Sequence, residues 1–208
     1  MGLEKIILTY ESALLLVCLV LSLHAYPDTC RTILWQYGGT AGWNSNPHDR
    51  VYFYANYRDP PPIPKIWSEE ITESNLAISA VSTVAWIIRI VLLRYQPGSI
   101  RWILAMFDVL LVALWGISIH AQVSSDLSDA EHPSAWPWYL VHACGGLNHP
   151  ERGCCTLGRW FLAASGNMFA LYMGRFVWCV LGFFRVERGN EVEDGKASTL
   201  AVGADVSR

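Results

Sequence analysis

Four stretches of this chain are long and apolar enough to constrain everything else about it. A helix that crosses a bilayer needs about 20 mostly apolar residues, and such runs occupy residues 6–25, 76–93, 102–122 and 160–184. The segments "ALLLVCLVLSL" and "VLLVALWGISI" show no polar face. In a soluble bundle each would have to be a central helix, and no sequence would remain to cover them. Composition agrees: 52% of the 208 residues are hydrophobic and 16% charged, against roughly 25% charged in soluble domains. The expected fold is all-α: a four-helix transmembrane bundle over residues 1–184, with two disulfide-linked extracytoplasmic loops.

Between the runs lie a long loop at 26–75, a short turn at 94–101, a second long loop at 123–159 and a polar tail at 185–208. Lys5, Arg94, Arg101, Arg185 and Arg188 fall on the side of the turn and tail, which the positive-inside rule assigns to the cytosol. Arg31, Arg50, Arg58, Lys65, Arg152 and Arg159 sit on the other side, mostly within long loops, where charge directs topology less. Both termini are therefore expected in the cytosol, in the plasma membrane or a membrane of the secretory pathway. The tail "RVERGNEVEDGKASTLAVGADVSR" is polar and Gly-containing and is expected to be disordered. The first run also has marks of a cleaved leader, with Lys5 ahead of it and "LHA" before Tyr26. Leu23 suits cleavage poorly and Glu4 and Glu11 weaken a positive front end, so a retained span is favoured.

Cysteine usage points the same way. Cys30, Cys144, Cys154 and Cys155 lie in the long loops, and Cys18 and Cys179 lie inside spans. Loop thiols outside the cytosol oxidise, and adjacent cysteines rarely pair with each other. Cys154 and Cys155 should each reach Cys30 or Cys144. In the first loop, the alternation of "VYFYANY" and the short run "TILWQY" suggest strands. "PPPIPKIW" reads as an extended strut that delivers Trp67 to the membrane interface. Trp136, Trp138 and Tyr139 of the second loop are expected on the headgroups or against the first loop.

Several function classes find no support. A net charge of -3 offers no basic face for nucleic acid, and no Walker, Rossmann or zinc-protease signature is present. Gly2 is followed by Ile6 where a myristoylation signal wants Ser or Thr, and no Asn-x-Ser/Thr acceptor occurs. Membrane thiol oxidoreductases rely on a Cys-x-x-Cys pair, for which the vicinal Cys154-Cys155 is a weak substitute. His24 and His120 sit near span ends and read as interface residues. Asp126, Asp129, Glu131 and His132 lack the spacing of a calcium loop and read as a solvated acidic segment. No catalytic, cofactor-binding or metal-binding residue is expected. The expected partners are the lipid bilayer and other membrane proteins or a second copy of the chain.

Two patterns within the spans stand out. Arg89 and Asp108 lie about 12 and 16 Å from the short turn at 1.5 Å per residue, and Glu11 and Arg175 fall in the same half of the membrane. Two acids and two bases at one depth suggest a neutral cluster inside the bundle, with separate snorkelling as the alternative. Proton or ion transport needs a continuous polar path, and Ser79, Ser82, Thr83 and Asn167 are too few to draw one. On the last span, Gly166, Ala170 and Gly174 form a small-residue stripe where another helix can approach closely.

The four spans, the Cys in the first outer loop within "CRTILWQYGG", the following "GWNSNP", "YANYR" before "PIPKIWS", and "DAEHPSAWPWYL" together resemble a group of four-span membrane proteins of filamentous fungi described as MARVEL-like. The resemblance covers about residues 26–184, and its motifs are structural. It implies a scaffold or sorting role in organising membrane domains and carries over no catalytic residue. Claudin-like proteins of yeast cortical domains are a neighbouring resemblance, but their first-loop signature is incomplete here, with only Cys30. The expected function is non-enzymatic membrane organisation, sorting or partner association. A small transporter or transporter accessory is the alternative, and a thiol oxidoreductase the third reading.

Overall fold

A computed structural model describes residues 2–27, 29–60, 62–94 and 100–205, with side chains left out at 3, 51, 93, 101 and 184–205. The chain is all-helical: seven α-helices and two short 3-10 turns, at Lys65–Trp67 and Cys144–Gly146, lie among the described residues. Helices α1 (Gly2–Ala25), α4 (Glu69–Leu93), α5 (Ile100–Gln122) and α7 (Glu151–Asp205) are long. Contacts run α1 to α4, α4 to α5, α5 to α7 and α7 back to α1, closing a four-helix ring. Three stretches, Glu4–Ala25, Glu69–Leu92 and Trp102–Gln122, are long and apolar enough to cross a membrane.

The interior of the ring follows a spacing of three and four residues, as side chains at a bundle seam must. Glu11, Leu15, Cys18 and Ser22 of α1 face Asn75, Ser79, Ser82, Ala85 and Arg89 of α4. Asp108, Leu111, Trp115, Ser118 and Gln122 of α5 and Phe161, Ser165, Met168 and Tyr172 of α7 complete it. Read by layer, the helices bury charge toward the α4–α5 turn and Leu, Trp, Met and Tyr at mid-height. They bury Ser, Asn and Gln toward the other end. Large apolar residues such as Leu16, Val20, Val84, Met106 and Ile117 point outward.

The second end carries a cap built from the two long loops: α2 (Thr29–Thr40), α3 (Asp49–Ala55) and the four-residue α6 (Trp138–Val141) with its flanks. Both strand expectations fail here. "TILWQY" lies within α2, which turns Leu34, Trp35 and Gly38 into the cap core, a helical spacing that tertiary burial selects over β-propensity. "VYFYANY" forms α3 and the turn after it, and its Tyr52, Tyr54 and Tyr57 stay exposed. With no neighbouring strand, the segment satisfies its backbone groups locally. The Pro-rich stretch does enter an extended conformation, with Pro64 at φ -55 and ψ 137, before Ser68 caps α4 by accepting from the Glu70 N–H. That cap starts α4 at Glu69 rather than at residue 76.

At the other end, 95–99 of the expected turn lies outside the described residues. The tail differs from expectation. The backbone of α7 stays helical to Asp205, because 185–205 holds no proline and several good helix formers, which tolerate the intervening glycines. Residues 206–208 lie outside the described residues.

Candidate functional site

The charged layer resolves into two ion pairs. Arg89 binds Asp108 through its two terminal nitrogens, Nη1 and Nη2, joining α4 to α5. Arg175 Nη1 donates to Glu11 Oε2 at 2.6 Å, joining α7 to α1. All four groups are largely enclosed. The expected cluster is thus assembled: it holds two acids and two bases and each pair ties neighbouring helices. In a bilayer a lone carboxylate at mid-span would cost about 2.5–3.5 kcal/mol on insertion scales, a cost that enclosure beside a guanidinium offsets. Tyr172 is fully buried beside Glu11.

Toward the cap the interior is wired by neutral groups. Ser118 Oγ donates to Asn75 Oδ1 at 2.6 Å, and Gln122 Nε2 donates to Ser118 and Ser165 hydroxyls at 2.9 and 3.0 Å. Ser22 and Ser79 hydroxyls lie 3.5 Å apart. Of this set only Ser79 stands out in the sequence, because Ser22, Asn75, Ser118, Gln122 and Ser165 lie on four helices and only their packing brings them together. Between the neutral and charged layers, Leu15, Leu111, Trp115, Met168 and Tyr172 pack as one apolar cluster, crossed by the Trp115 indole donating to Ser82 at 3.0 Å. A cavity of about 40 Å³ lies where bundle meets cap, bordered by Cys30, Arg31, Asn75, Gln122 and Tyr139.

The small-residue stripe does not serve the bundle. A Cβ added to Gly166 or Gly174 would meet nothing within 4 Å, and Ala170 and Gly174 are exposed. The correction has a geometric cause: the ring uses the 161, 165, 168, 172 seam of α7, which leaves 166, 170 and 174 on the outward face.

The cap is a miniature soluble core. Disulfides join Cys30 to Cys154 and Cys144 to Cys155, with Cα–Cα separations of 5.0 and 5.8 Å, so the two loops are covalently tied and each vicinal cysteine takes a different partner. Arg31 donates to Thr72 Oγ1 and the Ile66 carbonyl. Arg159 donates to the Tyr139 and His142 carbonyls at 2.6 and 2.7 Å, pinning α6 to α7. Burial raises the pKa of the Tyr139 hydroxyl, and the nearby Arg31 partly opposes this.

One residue of the acidic run behaves unlike the expectation for it. Asp126 is buried. Its Oδ2 accepts from the Ser45 hydroxyl at 2.7 Å, the Ser45 N–H at 3.2 Å and the Trp67 indole at 2.8 Å, and its Oδ1 accepts from Ser128. Its backbone pairs with Ser134. A carboxylate holding this many donors fixes the loops it touches, and it draws Trp67 into the cap core rather than to a membrane interface. Asp129, Glu131 and His132 remain at the surface, with His132 Nδ1 3.0 Å from Asp129.

Trp138 and Tyr139 pack on the first loop, and Trp138 donates to the Leu34 carbonyl at 2.9 Å. Trp43 stacks on His142 at 4.0 Å between ring centroids. Trp136 stands exposed at the edge of an open groove of about 220 Å³ that also holds Trp43, Trp138, Pro133 and His142. Among the described residues no three His, Cys, Asp or Glu side chains converge to hold a metal ion. Compared with family models, curated proteins and solved structures, the chain matches none.

Proposed function

We propose that this chain is a four-span membrane protein that organises membrane domains by presenting a rigid cap to other membrane proteins, without catalysing a reaction. The observation that carries the reading is the cap itself: two loops folded around a common core, closed by two disulfides, with tryptophan and tyrosine left on the surface. Aromatic residues of this kind are enriched at protein interfaces. A fixed backbone also keeps the ordering cost of association low.

The fourth crossing is the part of α7 from residue 160 to 183. Its hydropathy is lowered by Arg175 and Asn167, and both have partners on α1: the enclosed Arg175 pairs with Glu11, and the exposed Asn167 accepts from Tyr10 at 3.1 Å. Pairing of this kind supports an intramembrane position for α7. The same ion pair makes α1 an integral part of the bundle and supports its retention as a span. Disulfides favour an oxidising compartment for the cap, and in this reading both termini lie in the cytosol of a plasma-membrane or secretory-pathway protein. A MARVEL-like scaffold or sorting role fits this arrangement.

Transport is the second reading, favoured by the buried Ser, Asn and Gln set below the cap cavity. The apolar layer around Trp115 separates that set from the charges and counts against a continuous path. A thiol oxidoreductase is the third, with Cys154 and Cys155 both buried and so shielded from an attacking thiolate. The test is topological and functional together. Cysteines introduced in the tail should react with impermeant maleimide only after permeabilisation, and cross-linking in native membranes should capture membrane proteins through the cap. Labelling of the tail on intact cells would sink the four-span topology, and cap-dependent capture of no membrane protein would sink the organising role.

A further inference from the structure

The groove on the cap has chemistry specific enough to name its occupant. Its floor and sides are indole, imidazole and proline: Trp43, Trp136, Trp138, Pro133 and His142. Neither the Trp43 nor the Trp136 indole N–H has a partner among the described residues, whereas the Trp138 indole is committed to Leu34. Aromatic faces set at an angle to one another, with Trp43 and Trp138 tilted by 47°, and spare indole donors suit a polyproline II ligand, whose rings pack on those faces and whose unpaired carbonyls accept from the indoles. Such a ligand loses little entropy on binding.

The same chain carries that ligand at the same end of the bundle. Pro62, Ile63 and Pro64 precede the Lys65–Trp67 turn, with Pro62 and Ile63 exposed and Pro64 already in the polyproline II region. None of them borders the groove of its own chain. Charge matches as well. Arg58 and Lys65 flank the proline segment, with Asp59 the one acid between them, while Asp129 and Glu131 lie in the turn that leads into Pro133. Opposite charge on the two surfaces favours their encounter and disfavours partners of like charge.

We infer that the groove binds the Pro62–Pro64 segment of a second copy, so that caps join head to tail in the plane of the membrane. The interface is heterologous: segment and groove are different surfaces, so each copy keeps one of each free and the contact propagates into rings or rows. Confinement to a plane with a fixed orientation raises the effective concentration, which lets a small contact suffice. The inference deepens the organising role proposed above and rests on it, since a row of caps is a way to gather membrane domains.

The experiment uses the full chain in lipid nanodiscs and vesicles, with two variants. Trp136→Ala removes an exposed groove wall, and Ile63→Glu places an acid in the exposed segment facing the acidic turn. Each variant alone should lose the cross-linked ladder formed by the parent in vesicles. Mixed, they should recover a dimer and nothing larger, because one supplies a segment and the other a groove. A peptide of residues 58–65 should quench tryptophan emission of the parent and bind Trp136→Ala at least about tenfold more weakly, the scale of an aromatic hot spot. Failure of the mixture to form dimers, or unchanged ladders in both single variants, would overturn the inference. So would quenching by phosphocholine vesicles or by an unrelated proline-rich peptide in the absence of any self-association, which would assign the groove to a different ligand. These outcomes are separable from the organising role: ladders that respond as expected, with cap-dependent capture of no other membrane protein, would leave the inference standing and remove the role.

Discussion

The bundle and the cap differ most in what they expose and in where they bury charge. The bundle holds two ion pairs and a Ser, Asn and Gln set on either side of an apolar layer and turns Leu, Val, Ile and Met outward, whereas the cap packs Trp, Leu, Ile and Tyr around one buried carboxylate, Asp126, and two disulfides. Lipid is as apolar as leucine, so helices in a bilayer would gain little by hiding apolar surface and would associate through packing and polar contacts. The cap has a core of the kind that the hydrophobic effect assembles, but it is small and is held by two disulfides as well. One chain therefore contains two folding logics that meet at Asn75, Gln122 and Tyr139. Perturbations should sort by region.

Breaking the bundle's charge should have the largest effect. Removing one member of a buried pair leaves the other uncompensated, at about 3–5 kcal/mol. Asp108→Ala should lower the midpoint of unfolding in a denaturing detergent more than Asp108→Ala combined with Arg89→Ala, and Glu11→Ala should behave likewise with Arg175→Ala. The cross combination, Asp108→Ala with Arg175→Ala, should show much weaker coupling. Equal coupling in both combinations would mean the four charges act as one cluster and not as two pairs.

Next come the two bridges of the cap. The Cys30–Cys154 pair spans 124 residues and the Cys144–Cys155 pair 11. In the chain-entropy account the longer closure stabilises more, by about 2 kcal/mol. Serine replacement of Cys30 and Cys154 should therefore loosen the cap more than replacement of Cys144 and Cys155, as read by protease susceptibility of the loops. Asp126→Ala should follow, leaving the Ser45 hydroxyl and the Trp67 indole buried without an acceptor, at about 1–3 kcal/mol each. An Asp126→Ala protein as protease-resistant as the parent would show that the loops hold without this residue.

What the sequence disclosed divides along the same line. Three of the four expected apolar helices, the meeting of Arg89 with Asp108 and the bonding of the loop cysteines were legible, because each follows from a single strong constraint: the length of an apolar run, the cost of lone charge, or the reactivity of paired thiols. The cap was not. Asp126 looks like its neighbours Asp129 and Glu131, and only the distant Ser45 and Trp67 single it out. "VYFYANY" alternates as a strand does, but a strand needs a partner that the fold does not supply. The glycine stripe was visible, yet its direction depended on which seam of α7 the ring selected. Gly174→Leu should consequently leave the unfolding midpoint within about 0.5 kcal/mol, whereas Gly38→Ala should destabilise the cap, since its Cβ would collide with Asn44 and the Trp138 indole.

The smallest effect sharpens the comparison, because it asks whether surface charge on the cap contributes at all. Asp129 accepts from the Glu131 N–H at 2.9 Å and lies 3.0 Å from the His132 ring, and these contacts lower its pKa below the ordinary carboxylate value, the backbone bond most. A depressed folded-state pKa contributes stability that is present above the unfolded value, about 3.9, and is lost as pH falls through the folded value. The parent should then exceed Asp129→Asn in cap stability at neutral pH, and the gap should close in acid as the carboxyl protonates. Asp126→Asn provides the contrast at neutral pH, where an amide has one acceptor oxygen in place of the two that hold Ser45, Trp67 and Ser128, and its gap should be larger. Protease resistance of the loops between pH 6 and 3 reads both. A gap for Asp129→Asn that stays constant over this range would mean that the turn before Pro133 is held by its backbone alone, and that charge at the groove's edge is free for a partner.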